Sequence, residues 1–220
     1  MAEEKEVKLL YVFPSPFVLR VVLVLELKGI TYEIIPDDLF NKSSLLLQLN
    51  PLYKKFPVLI HKGQPICDSR NIIEYLDETF PHTPAVLPRD PLARSRERFL
   101  AEFVENKIFA TCGNINFGLG ATPADLAKSC ELFEEELRKH ECTPFFAGDK
   151  LGLVDIVLLA PAIWARDQMP SADHCPNLHR LLCALRDHPV VKSALPDADT
   201  VETLLTQAMP MLEQLYGGKP

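Results

Sequence analysis

The apolar pattern changes character partway along this chain. From residue 7 to about 80, short β-branched and aromatic runs alternate with short helical patterns, and past residue 92 helical spacing dominates. Val7 to Phe13 (VKLLYVF) reads as a strand, rich in residues that suit a pleated surface. Phe17 to Lys28 (FVLRVVLVLELK) is apolar all round, so periodicity leaves it open between a buried helix and a buried strand. Its length, a Ser15-Pro16 start and a stop at Gly29 favour the helix. Ser15 then stands at the N-cap and Pro16 at the first helical position, where a missing N–H costs nothing. Thr31 to Ile35 is a second strand, and Ser43 to Leu49 a short serine-capped helix closed by Asn50-Pro51. Val58 to Ile60 and Pro65 to Cys67, joined by the turn Lys62-Gly63-Gln64, predict a hairpin. Asp68-Ser69 opens a helix over Ser69 to Thr79. A crossover helix makes the first two strands parallel, the hairpin is antiparallel, and one mixed four-stranded sheet results.

Pro81 to Pro91 carries four prolines in eleven residues and predicts a stiff, extended linker. Beyond it, a long helix is expected from Leu92 to about Thr111, with Arg94, Arg96 and Arg98 as a solvated face or as carboxylate partners. A loop over Gly113 to Thr122 and a helix over Pro123 to His140 follow, the Glu134-Glu135-Glu136 run most simply facing solvent. Asp155 begins or caps an apolar helix from Ile156 to about Gln168, and Pro176 and Pro189 open two more. The tail, Val201 to Tyr216, is a helix interrupted at Pro210. The fold class is therefore α/β plus all-α: a sheet domain over 1–80, a linker over 81–91 and a helical domain over 92–220.

Composition narrows the function classes. A net charge of −7 and a pI near 5.4 argue against nucleic acid or an anionic membrane as the main partner. The charged start MAEEKEVK is no secretory signal, and the apolar stretch Ile156 to Ala165 is too short to span a bilayer. A cytosolic protein is expected. The six cysteines (Cys67, Cys112, Cys130, Cys142, Cys175, Cys183) form no CxxC pair and are expected as free thiols. Cys175, His179 and Cys183 share a helical spacing, but zinc sites usually draw on a loop as well, so buried thiols are the better reading and no metal is expected. Asn41-Lys42-Ser43 matches a glycosylation acceptor that has no meaning without a secretory route.

The candidate chemistry begins at Ser15. A hydroxyl at the mouth of a helix, with free N–H groups behind it, suits a small anion, although an ordinary capped helix would look the same. The proline at the start of a central strand, Pro57, is awkward unless the Phe56–Pro57 bond is cis. Lys55 and Asp68 flank the hairpin and can supply opposite charges on one side of the sheet.

With Lys55-Phe56-Pro57-Val58-Leu59 followed by Asp68-Ser69, the sequence resembles the cytosolic glutathione transferases. The stretches Pro-Ser-Pro-Phe-Val-Leu-Arg, Asp-Leu-Phe-Asn-Lys-Ser, Asn-Pro-Leu-Tyr-Lys-Lys-Phe-Pro-Val-Leu-Ile-His and Pro-Ile-Cys-Asp-Ser look like the plant tau class. Gly152-Leu153-Val154-Asp155-Ile156 matches that family's helix-start motif in the second domain. The resemblance implies a thioredoxin-like first domain and these roles. Ser15 donates its hydroxyl to the glutathione sulfur. Phe56, ahead of a cis Pro57, offers its backbone to the cysteinyl part. Asp68 and Ser69 hold the γ-glutamyl end, while Lys42 and Lys55 face the glycine carboxylate or are merely solvated. Glutathione has two carboxylates, an ammonium and a thiol, so it needs cations, an acid and helix N-termini in one cleft. Tyr11 should point into the sheet, and serine rather than cysteine at 15 excludes mixed-disulfide chemistry there.

The implied activity is conjugation of glutathione, as co-substrate, to hydrophobic electrophiles, with reduction of organic hydroperoxides as a further activity and a homodimer as the assembly. A carrier of flavonoids, hormones or similar ligands is the alternative. Asp68 stands where the class has glutamate, and Phe56 where it has valine or isoleucine. Phe109, Gly113 and Asn116 replace the usual tyrosine, arginine and tryptophan, which points to a roomier acceptor pocket. Phe17, Phe109, Asn116 and Trp164 are the candidate lining residues, with core packing equally open for each aromatic.

Overall fold

The structure, a computed structural model, describes residues 6–13, 15–140, 144–194 and 198–216; Pro14 and Cys142 lie outside them. The chain divides into two units, Met1–Ala85 and Val86–Pro220, and the division falls inside the proline-rich stretch 81–91.

In the first unit, β1 (Val7–Tyr11), β2 (Glu33–Pro36), β3 (Val58–His61) and β4 (Gln64–Cys67) form one sheet in the order β2-β1-β3-β4. β1 is parallel to β2 and antiparallel to β3, and β3 is antiparallel to β4. Ile35, Leu10, Val58 and Cys67 occupy one rung across all four strands. The short helix α2 (Ser44–Leu49) covers that rung, burying Leu46 against Leu10 and Val58, with Leu45, Leu49 and Phe56 at the rim. Side chains alternate across a sheet, so the neighbouring rung through Leu9 and Leu59 faces the other way. α1 (Pro16–Leu27) and α3 (Ser69–Thr79) pack against one another. The all-apolar α1 is a helix, buried from Val18 to Leu25.

One buried group in α1 has a clear sequence signal. Arg20 is a lone cation in an apolar helix, fully buried, with its guanidinium 5.0 Å from the centre of the Phe17 ring. At the other end of α1, Lys28 is buried beside the helix carbonyls, where a cation is favoured. Its ammonium pairs with Asp77 at 2.8 Å and donates to Thr83 Oγ1 and the Pro84 carbonyl, tying α1 to α3 and the chain beyond it.

The second unit is helical, and several boundaries differ from the sequence reading. α4 (Pro91–Phe103) runs through a π-helical stretch, Val104–Phe109, into α5 (Ala110–Asn116), so residues 113–116 are helix rather than loop. α6 spans Pro123–Arg138, and Glu134 within it does not face solvent. Glu134 is buried and accepts from Asn177 N, Asn177 Nδ2 and Leu178 N at the start of α8 (Pro176–Asp187). A carboxylate there satisfies backbone donors that the helix itself leaves open. Of its neighbours, Glu135 is exposed and Glu136 pairs with Arg96 and Lys139.

α7 begins at Leu153, earlier than expected, and ends at Trp164, with a separate 3₁₀ turn at Arg166–Gln168. Asp155 is its third residue, fully buried, accepting from Phe146 N, Ala147 N and Gly152 N at 2.8–3.2 Å. Gly152 must lack a side chain: an added Cβ would sit 2.6 Å from Ala147 Cβ. α9 (Pro189–Ala194) follows, and α10 (Ala198–Tyr216) continues through Pro210 without interruption. No helix among the described residues is long and apolar enough to cross a membrane.

Candidate glutathione site

The register fixes where the loops emerge. β1, β2 and β4 all run toward the end of the sheet from which β3 starts. Ser15 after β1, the 37–43 loop after β2, Pro57 before β3 and Asp68 after β4 therefore share one end of the sheet.

Ser15 is extended (φ −116°, ψ 117°), as an N-cap must be. Its Oγ accepts from Val18 N at 3.4 Å, and 9% of the residue is exposed. Accepting at oxygen leaves the hydroxyl proton to be donated. Tyr11 is half-buried, and burial raises its phenol, so it stays neutral.

The 37–43 loop is tied to the sheet by Asp37 N donating to Tyr11 O. Inside it, Asp37 accepts from Ser43 and Asp38 N, and Asp38 accepts from Phe40 N and Asn41 N. These bonds hold the segment carrying Lys42. The loop from α2 to β3 is braced by Asn50, buried at the end of α2. Its Nδ2 donates to the Lys55 carbonyl (2.9 Å) and its Oδ1 accepts from Tyr53 N (3.2 Å), while Lys54 takes a left-handed φ of 53°. The Phe56–Pro57 peptide is cis. Phe56 packs its ring on the α2 cluster, and its main-chain N–H and C=O have no hydrogen bond among the described residues. Lys42 and Lys55 are exposed and form no ion pair among the described residues.

Asp68 has φ 73° and ψ 126°, a conformation side chains rarely adopt. It caps α3, one oxygen accepting from both Arg70 N and Asn71 N. Backbone strain of this kind concentrates at functional sites. Ser69, the first residue of α3, is buried, and its hydroxyl has no partner among the described residues. Cys67 beside them has its thiol raised by burial and then by the Asp68 charge.

The four candidate lining residues fall in two groups. Phe17 is in the first unit under Arg20. Phe109 ends the π-helical stretch, while Asn116 Oδ1 accepts from Gln168 Nε2 at 2.9 Å, which ties α5 to the turn after α7. Trp164 closes α7, its Nε1 buried without a partner among the described residues. A concavity of about 630 Å³ lies elsewhere in the first unit, lined by Glu26 and the stretch Gly29 to Ile34, and holds none of the candidate residues. No group of three or more His, Cys, Asp or Glu that could hold a metal occurs among the described residues. Asn50 and Asp37 were not singled out as site residues by the sequence reading; the signal was a short polar residue just past a helix end for Asn50 and just past a strand end for Asp37.

Family comparisons agree with this architecture. Residues 14–79 match the glutathione S-transferase N-terminal domain and 123–189 the glutathione S-transferase C-terminal domain. A probable glutathione S-transferase of Nicotiana tabacum is 45% identical over 205 residues, covering 88% of this chain and 90% of that protein. Glutathione S-transferase U7 of Arabidopsis thaliana is 36% identical, covering 90% of each. Among solved structures, a tau class glutathione S-transferase of mango, Mangifera indica, superimposes with a TM-score of 0.83 at 32% identity, covering 93% of this chain and 99% of that one. Rice GST1, solved in complex with glutathione, gives 0.83 at 31% identity over 96% of this chain and 100% of that one. A thioredoxin-like sheet domain followed by a helical domain defines the class of fold. The chain belongs to the glutathione S-transferase family, in its plant tau class.

Proposed function

We propose that this protein conjugates the thiolate of glutathione to hydrophobic electrophiles, with Ser15 donating its hydroxyl to the sulfur. The single observation that supports this most is the Ser15 cap: its oxygen serves α1 while its proton has no acceptor among the described residues. A free thiol titrates near 8.5, so only a few per cent is ionised at neutral pH. A hydrogen bond to a charged acceptor contributes about 1.5–3 kcal/mol, and a helix N-terminus roughly 0.3–1 kcal/mol. At about 1.4 kcal/mol per pH unit, the two together lower the thiol pKa by roughly one to three units. Thiolate then dominates without a general base.

The rest of the tripeptide has a partner for each group. Phe56 offers main-chain hydrogen bonds to the cysteinyl part. Asp68 takes the γ-glutamyl ammonium, and Ser69, at a helix start, its carboxylate. Asp68 is one methylene shorter than glutamate, so a bridging water in its ammonium contact is consistent with its length. Lys42 and Lys55 face the glycine carboxylate. Phe17, Phe109, Asn116 and Trp164 line the acceptor side. The sheet domain spans 1–80, the linker 81–91 and the helical domain 92–220.

The protein acts in the cytosol as a homodimer. Exposed Leu52 and Tyr53 in the first unit, and Leu92 and Phe99 one heptad apart on α4, support a covered surface in each unit. A carrier without turnover is not the favoured reading, because relatives spanning nine-tenths of the chain are named as transferases.

The test is the rate with a chlorinated nitrobenzene and glutathione, native protein against Ser15→Ala. A loss of roughly ten- to a hundredfold with glutathione binding retained is expected from one charge-assisted hydrogen bond. Equal rates would remove Ser15 from the mechanism.

A further inference from the structure

We infer that Asn71 is a positioning residue for the γ-glutamyl end of glutathione, acting by holding Asp68 in its strained conformation rather than by touching the tripeptide. The role rests on Asp68 taking the γ-glutamyl ammonium, as proposed above. Asp68 has φ 73° and ψ 126°, a region that L side chains rarely enter. Such a residue relaxes to negative φ unless the peptides on either side of it are held. Each is held here by one hydrogen bond. Rotation in φ turns the peptide between Cys67 and Asp68, and the carbonyl of that peptide accepts from Asn71 Nδ2 at 3.0 Å. Rotation in ψ turns the peptide between Asp68 and Ser69, whose carbonyl accepts from Ile72 N at 2.8 Å.

The second bond belongs to the first turn of α3, and any residue at position 72 except proline supplies it. The first needs a side-chain donor three residues into the helix, short enough to reach back past the cap. Asparagine meets both needs, because its amide carries two donors; a glutamate there could only accept. The side chains at this turn divide the work accordingly. Asp68 Oδ1 accepts from Arg70 N at 3.1 Å and Asn71 N at 3.2 Å, while Oδ2 has no partner among the described residues. One carboxylate oxygen serves the helix and the other is left for a cation.

With a single methylene between backbone and carboxylate, that oxygen goes where the backbone points it. Asp68 is exposed, so no packing fixes it instead. Releasing the Cys67 carbonyl therefore lets the carboxylate swing away from the ammonium, while Ser69 stays at the first helical position. Asn71 is itself exposed, and alanine is the stronger helix former, so Asn71→Ala removes the anchor without opening a cavity.

The experiment measures KM and kcat of the full chain with a chlorinated nitrobenzene and either of two thiols. One is glutathione; the other is glutaryl-cysteinylglycine, which lacks the γ-glutamyl ammonium and keeps the carboxylate. Asn71→Ala should raise KM for glutathione roughly three- to tenfold, about one hydrogen bond, with kcat unchanged. KM for the ammonium-free thiol should not move, a selectivity that general loosening of the turn would not produce. In an Asp68→Asn background, adding Asn71→Ala should change KM for glutathione less than about twofold, because it acts through Asp68. A rise equal for both thiols, no rise at all, or full additivity with Asp68→Asn overturns the assignment and leaves Asp68 in its role. Equal KM for the two thiols in the native protein would remove Asp68 from ammonium binding, and this assignment with it.

Discussion

Leu10 and Val58 stand opposite one another across the antiparallel pair β1 and β3. Through this pairing the exit of one strand lies beside the entry of the other, so Ser15 and the cis Phe56–Pro57 peptide emerge at the same end of the sheet. The same rung continues to Cys67 and Ile35, which brings Asp68 and the Lys42 loop to that end as well.

Asn50 is the brace on which the Lys55-Phe56 segment depends. Asn50→Ala unties the Lys55 carbonyl and Tyr53 N, both of which are held by the buried Asn50 side chain. We expect KM for glutathione to rise roughly three- to tenfold, the equivalent of about one hydrogen bond, with kcat little changed. Steady-state kinetics at varied glutathione check this; a fall in kcat alone would mean the loop does not position the tripeptide.

Glu134 anchors the start of α8. Glu134→Ala leaves Asn177 N and Leu178 N without their acceptor and should destabilise the protein by about 1–3 kcal/mol. Glu134→Gln keeps one acceptor oxygen and should lose less. Denaturant midpoints of the two variants decide, and equal effects would show that the carboxylate is not the cap.

These two residues also mark what a sequence discloses. The sheet, the caps at Ser15 and Ser43 and the helix over Ser69–Thr79 were legible because each follows from local pattern and cap chemistry. Glu134 was not: three consecutive glutamates look alike in sequence, and only the approach of α8, more than forty residues on, separates the buried one. The π-helical stretch over Val104–Phe109 has no local signal, since VENKIF suits an α-helix equally well. Pro210 read as a break because proline removes one helical hydrogen bond, yet α10 continues through it. At the glutathione end, the residue types were legible, whereas the Asn50 brace and the strained Asp68 backbone depend on how the loops close.

Asp155 gives the protein a pH signature. Three backbone N–H groups favour its carboxylate, but burial outweighs them and raises it to about 6. The folded value exceeds the unfolded one, near 3.9, so this contribution is fully present below about pH 4 and is lost as pH rises through about 6. The loss amounts to at most about 3 kcal/mol. Asp155→Asn lacks this dependence and mispairs its amide with N–H donors, so it should be less stable than native at pH near 4, with the gap closing toward neutrality. Urea melts across that range test it; a gap that widens with pH would contradict the sign.

The most direct measurement is the ultraviolet titration of the thiol of bound glutathione, in native protein and in Ser15→Ala and Ser15→Gly. Both variants lose the hydroxyl, while glycine largely keeps the N-cap that alanine loses, which separates chemistry from fold. The account predicts a bound thiol well below its free value near 8.5 in the native protein, rising by roughly one to two units in both variants. An unchanged titration in both would contradict it.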